Sequence, residues 1–265
     1  CQERLFLDRI HTMKTKPFLK RIVFLAGAFL VLIVLGFVIW ALSPYQAEIE
    51  AVEALQGNDR MQVVDGDWIT FSPRNEKLTT GFILYPGGRV DPEAYALAAR
   101  DIAACGNLVV VVRMPLNLAV FGINQAERVI RDHPEIENWV VGGHSLGGAM
   151  AAAFADQNPD QPAGVLLWAS FPGDQSELSQ KNINVMSIYA SHDGLATPQE
   201  IEEKAYLLPD DTYYVLIEGG NHAGFGSYGP QKGDGQARIS REDQRSMVVE
   251  ASCDFLDEPG GQDGQ

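Results

Sequence analysis

A serine, an aspartate and a histidine stand at three points of the chain where acyl chemistry would want them. Ser145 lies in Gly143-His144-Ser145-Leu146-Gly147, a G-x-S-x-G pattern. Asp193 lies in Ser191-His192-Asp193-Gly194, and His222 in Gly219-Gly220-Asn221-His222-Ala223-Gly224. A serine hydroxyl is a weak nucleophile until a base takes its proton. His222 is the expected base, and later the acid that protonates the leaving group. Asp193 would fix the imidazole tautomer and stabilise its charged form. The negative charge that develops on the attacked oxygen needs two preorganised N–H donors. The backbone N–H of Leu146, next after the nucleophile, is one. Gly88, in Tyr85-Pro86-Gly87-Gly88, is expected to give the other.

Such residues need a scaffold, and the pattern around them supplies one. Trp139-Val140-Val141 is a β-branched run that turns at the glycines into an Ala-rich helix, so Ser145 falls at a strand-to-helix turn. A tight βα turn packed for closeness would also explain the glycines. The wider alternation argues for more. Strands are predicted at 81–85, 108–112, 164–169, 184–190 and 212–218, with helices between them. Asp91-Pro92 opens one helix, Thr197-Pro198-Gln199-Glu200 forms a capping box for another, and Ser240 caps the last. Residues 61–64 and 67–71 read as an edge hairpin. Apolar strands alternating with helices predict an α/β fold, a mostly parallel sheet covered on both faces. Asp193 and His222 each follow the carboxyl end of a strand, where sites in such sheets gather. Asp174 follows the preceding strand and is the rival acid. His144 and His192 flank the site residues and are expected to point away from them, while His133 reads as a surface or capping residue.

The chain has 265 residues and a formal net charge of −15. That charge is uneven: Arg4, Arg9, Lys14, Lys16, Lys20 and Arg21 face only Glu3 and Asp8 in the first 21 residues. The rest is an acidic body that repels phosphate backbones, so no nucleic-acid partner is expected. Ile22 to Leu42 carries no charge and is long enough, at about 1.5 Å per residue, to span a bilayer core of about 30 Å. A cleaved signal peptide is the rival reading, but its apolar region is shorter and ends in a small-residue cleavage site, which is missing here. Basic residues before the span place the N-terminus in the cytoplasm and the remainder outside. The expected organisation is a basic N-terminus at 1–21 (with Met13 as a candidate start), an anchor at 22–42, a stalk at 43–60, a catalytic domain at 61–257 and a disordered tail at 258–265. Cys105 and Cys253 read as free thiols, with a disulfide between them left open. Gly233-Asp234-Gly235 is too sparse for a calcium loop, and no metal or cofactor is expected.

Taken together, Tyr85-Pro86-Gly87-Gly88, Asp91-Pro92-Glu93-Ala94-Tyr95, Gly142-Gly143-His144-Ser145-Leu146-Gly147-Gly148, Ser191-His192-Asp193-Gly194 and Gly219-Gly220-Asn221-His222 resemble the alpha/beta-hydrolase superfamily. The resemblance is to its compact family 5, near the dienelactone-hydrolase-like proteins, and covers roughly residues 65–256. Dienelactone hydrolases carry a cysteine nucleophile; Ser145 stands here instead, so that substrate is not implied. The resemblance implies a hydrolase acting on an ester, thioester or related acyl bond of a small-molecule substrate. The same residues leave open an acyltransferase or peptidase, or an anchored binding protein that kept the fold without the activity. Residues 171–184 are too few for a large lid, and the loops at 114–121 and 224–239 are the expected pocket lining.

Overall fold

The computed structural model describes residues 15–257, with side chains from Lys20 onward. The candidate start at Met13 and the expected disordered tail at 258–265 lie outside the described residues. The described chain forms two compact units, divided after Ser43. The first contains helix α1 (Thr15–Ala41). Its segment Lys20–Ala41 is long and apolar enough to cross a membrane.

The second unit is built on one sheet of eight strands in the order β1-β2-β4-β3-β5-β6-β7-β8. The strands are β1 (Met61–Asp65), β2 (Trp68–Pro73), β3 (Thr80–Tyr85), β4 (Leu108–Val112), β5 (Asn138–His144), β6 (Gly164–Trp168), β7 (Asn184–Ala190) and β8 (Tyr213–Ile217). β1 pairs antiparallel with β2, and β2 with β4; every other pairing is parallel. The expected edge hairpin is therefore present.

Strand residues alternate between the two faces, because successive side chains point to opposite sides. Phe82 and Leu84 of β3, with Val109 and Val111 of β4, enter one core; Ile83 and Val110 enter the other. That is why β4 is apolar at every position: both of its faces are buried. Five further helices follow the short α2 (Ile49–Glu53): α3 (Ala96–Ala103), α4 (Gln125–Asp132), α5 (Leu146–Gln157), α6 (Pro198–Lys204) and α7 (Arg241–Asp257). α3 and α7 cover the first face, and α4 and α5 the second. The capping box at Thr197 and Glu200 is formed as read, and Asp91 caps a short 3-10 turn that leads into α3.

Two findings differ from the sequence reading. Cys105, after α3, and Cys253, in α7, are joined in a disulfide with a Cα–Cα distance of 6.2 Å, so they are not free thiols. The two helices share one face of the sheet, which brings together residues 148 positions apart. The segment expected to be a stalk is packed onto the globular unit from Tyr45 onward. The Tyr45 N–H donates to the Arg89 carbonyl (2.7 Å), the Asp91 N–H donates to the Tyr45 carbonyl (3.0 Å), and Ala51 is fully buried.

Candidate active site

Between β5 and α5 there is only one residue, Ser145, and its backbone is in the left-handed region at φ 54°, ψ −125°. A non-glycine residue held there costs of order 1–3 kcal/mol, so its surroundings must impose it. They do so through three hydrogen bonds. The Ser145 N–H donates to the Trp168 carbonyl (2.9 Å), and the Ser145 carbonyl accepts from the Ser170 hydroxyl (2.7 Å) and the Ala149 N–H (3.2 Å). The flanking glycines have a steric cause. A Cβ at residue 143 would stand 2.5 Å from the Tyr85 carbonyl oxygen, and one at residue 147 would overlap that same atom. The end of β3 crosses so close to the turn that no side chain fits.

Asp193 follows β7 and His222 follows β8, and the two meet in direct contact. The His222 Nδ1–H donates to Asp193 Oδ2 at 2.8 Å, and both side chains are sealed from solvent. The second carboxylate oxygen, Oδ1, accepts from the N–H groups of Leu195 (2.8 Å) and Ala196 (2.7 Å), which fixes the rotation of the carboxylate. With its proton on Nδ1, the ring presents a lone pair at Nε2, and that buried atom has no hydrogen-bond partner among the described residues. An orphaned buried acceptor is costly and calls for a role. No hydrogen bond joins it to the Ser145 hydroxyl among the described residues. Asp174 is an exposed residue paired with Lys204, so it serves the surface and not His222.

The two residues expected to supply N–H donors are neighbours in space. Leu146 is the first residue of α5, so its N–H has no acceptor within the helix. Around Gly88 the neighbouring N–H groups are committed: Gly87 to the Tyr95 hydroxyl (2.9 Å), Arg89 to the Asn117 carbonyl (2.7 Å) and Val90 to the Gly87 carbonyl (3.1 Å). The Gly88 N–H makes no hydrogen bond among the described residues. A Cβ on Gly88 would lie 3.1 Å from Leu146 Cδ2, so the two residues adjoin. The 12-residue α5 also points its positive end here.

A cavity of about 280 Å³ opens at Ser145, lined chiefly by Leu146, Ala149, Ala169, Phe171, Leu195 and Ala196. This corrects the expectation that loops 114–121 and 224–239 form its wall. The wall comes instead from the start of α5 and from the segments that follow β6 and β7, the first of which turns at Ala169 (φ 45°). A larger hollow, about 430 Å³, lies near Ser72, Leu108 and His133 at the amino ends of the parallel strands and does not touch Ser145.

The sequence reading missed several supporting residues, and it misplaced one. His144 does not point away from the site. Its ring lies 4.5 Å from that of His222 and stacks on Phe225. Burial, with the neighbouring His222 second, holds its pKa well below the usual histidine value, so it is neutral. The Tyr95 hydroxyl accepts from the Gly87 N–H and so donates its own proton to His144 Nδ1 (2.8 Å). The His144 proton is thereby assigned to Nε2. Gln244, from α7, clamps Asn221 by two hydrogen bonds to its backbone (3.0 and 2.8 Å), directly before His222. Asp234 accepts N–H groups from several loops. The type of a residue gives no warning of such roles, because each depends on partners far along the chain.

Comparison with known proteins agrees with this architecture. Residues 81–246 match the model of the alpha/beta hydrolase family. No curated protein matches the chain. Among solved structures, the chain is similar to that reported for the metagenome-derived lipolytic enzymes LipS and LipT, with 13% identity, a TM-score of 0.54, and coverage of 77% of this chain and 100% of the other. Est1E from Butyrivibrio proteoclasticus, solved with ferulic acid, is 12% identical with a TM-score of 0.56, over 75% of this chain and 98% of its own. Dienelactone hydrolase from Anabaena variabilis is 13% identical with a TM-score of 0.56, over 74% and 99%. At these identities the likeness is one of fold. The strand order, the strained serine turn and the family match together make this chain a member of the alpha/beta hydrolase family.

Proposed function

We propose that the protein is a membrane-anchored serine hydrolase that cleaves an ester, thioester or related acyl bond. The observation that carries the reading is the buried Asp193–His222 pair, whose free Nε2 lone pair belongs to the same end of the sheet as the strained Ser145. His222 Nε2 takes the Ser145 proton as Oγ attacks the substrate carbonyl. The N–H groups of Leu146 and Gly88 hold the resulting oxyanion. His222 then gives that proton to the leaving group, which departs and leaves an acyl-enzyme. Water repeats the sequence and releases the acid. Asp193 keeps the imidazole in the required tautomer throughout. The apolar wall of Leu146, Phe171 and Leu195 suits the hydrocarbon part of a small acyl substrate. The lipolytic and esterase names of structurally similar proteins favour an ester.

The anchor is Ile22 to Leu42, with the basic N-terminus in the cytoplasm and the hydrolase domain outside. A disulfide in that domain favours the same side, since such bonds persist in oxidising compartments. Two experiments test the proposal. A fluorophosphonate probe reacts with an activated serine; applied to the full chain in detergent, it is expected to label Ser145 and to fail in His222→Ala. Labelling at another serine, or none on folded protein, refutes the chemistry. A reporter fused after Gln265 is expected outside the membrane, and a cytoplasmic signal overturns the topology.

A further inference from the structure

We infer that Asp234 is a positioning residue for the proposed catalytic pair, joining the loop that carries the acid to the loop that carries the base. The inference rests on the triad reading above. Asp234 stands twelve residues beyond His222, in a segment with no place in that mechanism. Its carboxylate accepts four backbone N–H groups. Oδ1 takes those of His222 (3.1 Å), Gly194 (3.2 Å) and Gly235 (2.7 Å), and Oδ2 takes that of Ala223 (2.8 Å). Gly194 is the residue after Asp193; His222 is the base itself. One side chain therefore holds the backbone at both ends of the 2.8 Å Asp193–His222 hydrogen bond. Hydrogen bonds to an ionised acceptor are about twice as strong as neutral ones, so this is a firm tie.

The fit around it is close. A Cβ at Gly194 would stand 2.6 Å from the Gly233 carbonyl oxygen, and one at Gly235 would overlap the His192 carbonyl oxygen. The Asn221 side-chain amide donates to the Gly235 carbonyl (2.8 Å), so the segment is also tied to the residue before His222. Asp234 does not line the cavity at Ser145. Its removal should therefore misplace the acid and base relative to each other while leaving substrate binding alone.

The test uses the full chain in detergent, p-nitrophenyl butyrate as substrate, and fluorophosphonate titration to count working sites. In Asp234→Ala, kcat per titrated site is expected to fall roughly 10- to 100-fold, the cost of a displacement of about 1 Å. KM should stay within about twofold of wild type, the pattern of a lost transition-state alignment. Asp234→Asn keeps the three N–H groups on one oxygen and sets its amide against Ala223, so it should restore part of the loss. Unchanged kcat per titrated site in Asp234→Ala, with fewer sites, marks a residue needed only for folding and overturns the inference. A raised KM at unchanged kcat overturns it equally. If Asp234→Ala does not fold, Asp234→Ser, whose single hydroxyl is too short to reach both loops, decides, and wild-type kcat per site there refutes the role. Failure of the underlying reading looks different: wild-type turnover then survives Ser145→Ala, whatever stands at position 234.

Discussion

Replacing Asp193 by Asn should disable the proposed base although the side chain keeps its size and its place, and the hydrogen bonds say why. Asp193 Oδ1 accepts two backbone N–H groups, from Leu195 and Ala196, at 2.8 and 2.7 Å. An asparagine must keep its carbonyl oxygen there, because turning the amide over would set its NH2 against both donors. Each buried group left unsatisfied costs about 1–3 kcal/mol. The NH2 is thus driven into the position of Oδ2, facing His222 Nδ1, where the native bond measures 2.8 Å. That nitrogen must then accept, and the ring's proton moves to Nε2, the atom that should take the proton of Ser145. Inversion of tautomer in a Ser-His-Asp site costs about 10⁴ in kcat, which is about 5.4 kcal/mol of barrier. Asp193→Ala gives up the control of the tautomer and also orphans both N–H groups, so it should lose at least as much. The assay is p-nitrophenyl butyrate hydrolysis by the full chain in detergent, scaled to folded protein by circular dichroism. KM should hardly move, because Asp193 does not line the cavity. The reasoning fails if Asp193→Asn keeps more than about a tenth of kcat.

Other expectations concern stability. The Cys105–Cys253 bond closes a loop across 148 residues, for which chain entropy gives about 5 kcal/mol. Spread over a unit of about 220 residues, whose unfolding entropy is about 2.1 cal/mol/K per residue, that is a Tm lower by about 10 °C on reduction. An unchanged Tm in reductant, after mapping has shown the bond broken, would refute the estimate. His144 supplies a pH dependence. Burial lowers its pKa in the folded state, so as pH falls below the ordinary histidine value of about 6.5 only the unfolded chain takes up that proton. Stability present above that pH is lost as pH falls, by about 1.4 kcal/mol per unit from this residue alone. Denaturant unfolding of wild type and His144→Gln from pH 7.5 to 5 should give a flatter slope in the variant. Parallel slopes would show that His144 does not remain neutral when folded.

Much of the fold was legible because its signals are local. The serine turn needs glycine at 143 and 147, since the end of β3 lies against both, so the sterics appear as a pattern five residues long. Apolar β4, buried on both faces, reads as a strand without help from its neighbours. The contact between Asp193 and His222 could be anticipated because strand ends are visible in sequence and β7 and β8 are neighbours in the sheet. What escaped was set by contacts between distant segments. His144 turns toward His222 because Tyr95, 49 residues earlier, fixes its ring. The cavity wall at Ala169 and Phe171 arises from a turn that no glycine marks. The Cys105–Cys253 pairing required knowing that α3 and α7 share a face.

Tyr45 carries one more consequence. Its backbone is hydrogen-bonded to Arg89 and Asp91, immediately after the proposed donor Gly88, and forms a parallel bridge with Val90. The hydrolase unit therefore does not begin at its first long strand; it includes a short piece of chain just past the apolar helix. On the proposed anchoring, enzymatic shedding would have a sharp boundary here. A cut among Leu42, Ser43 and Pro44 would release a soluble form with the Gly88 turn still braced. A cut a few residues later would release almost the same mass with that brace gone, and two shed products hard to separate on a gel would differ in turnover.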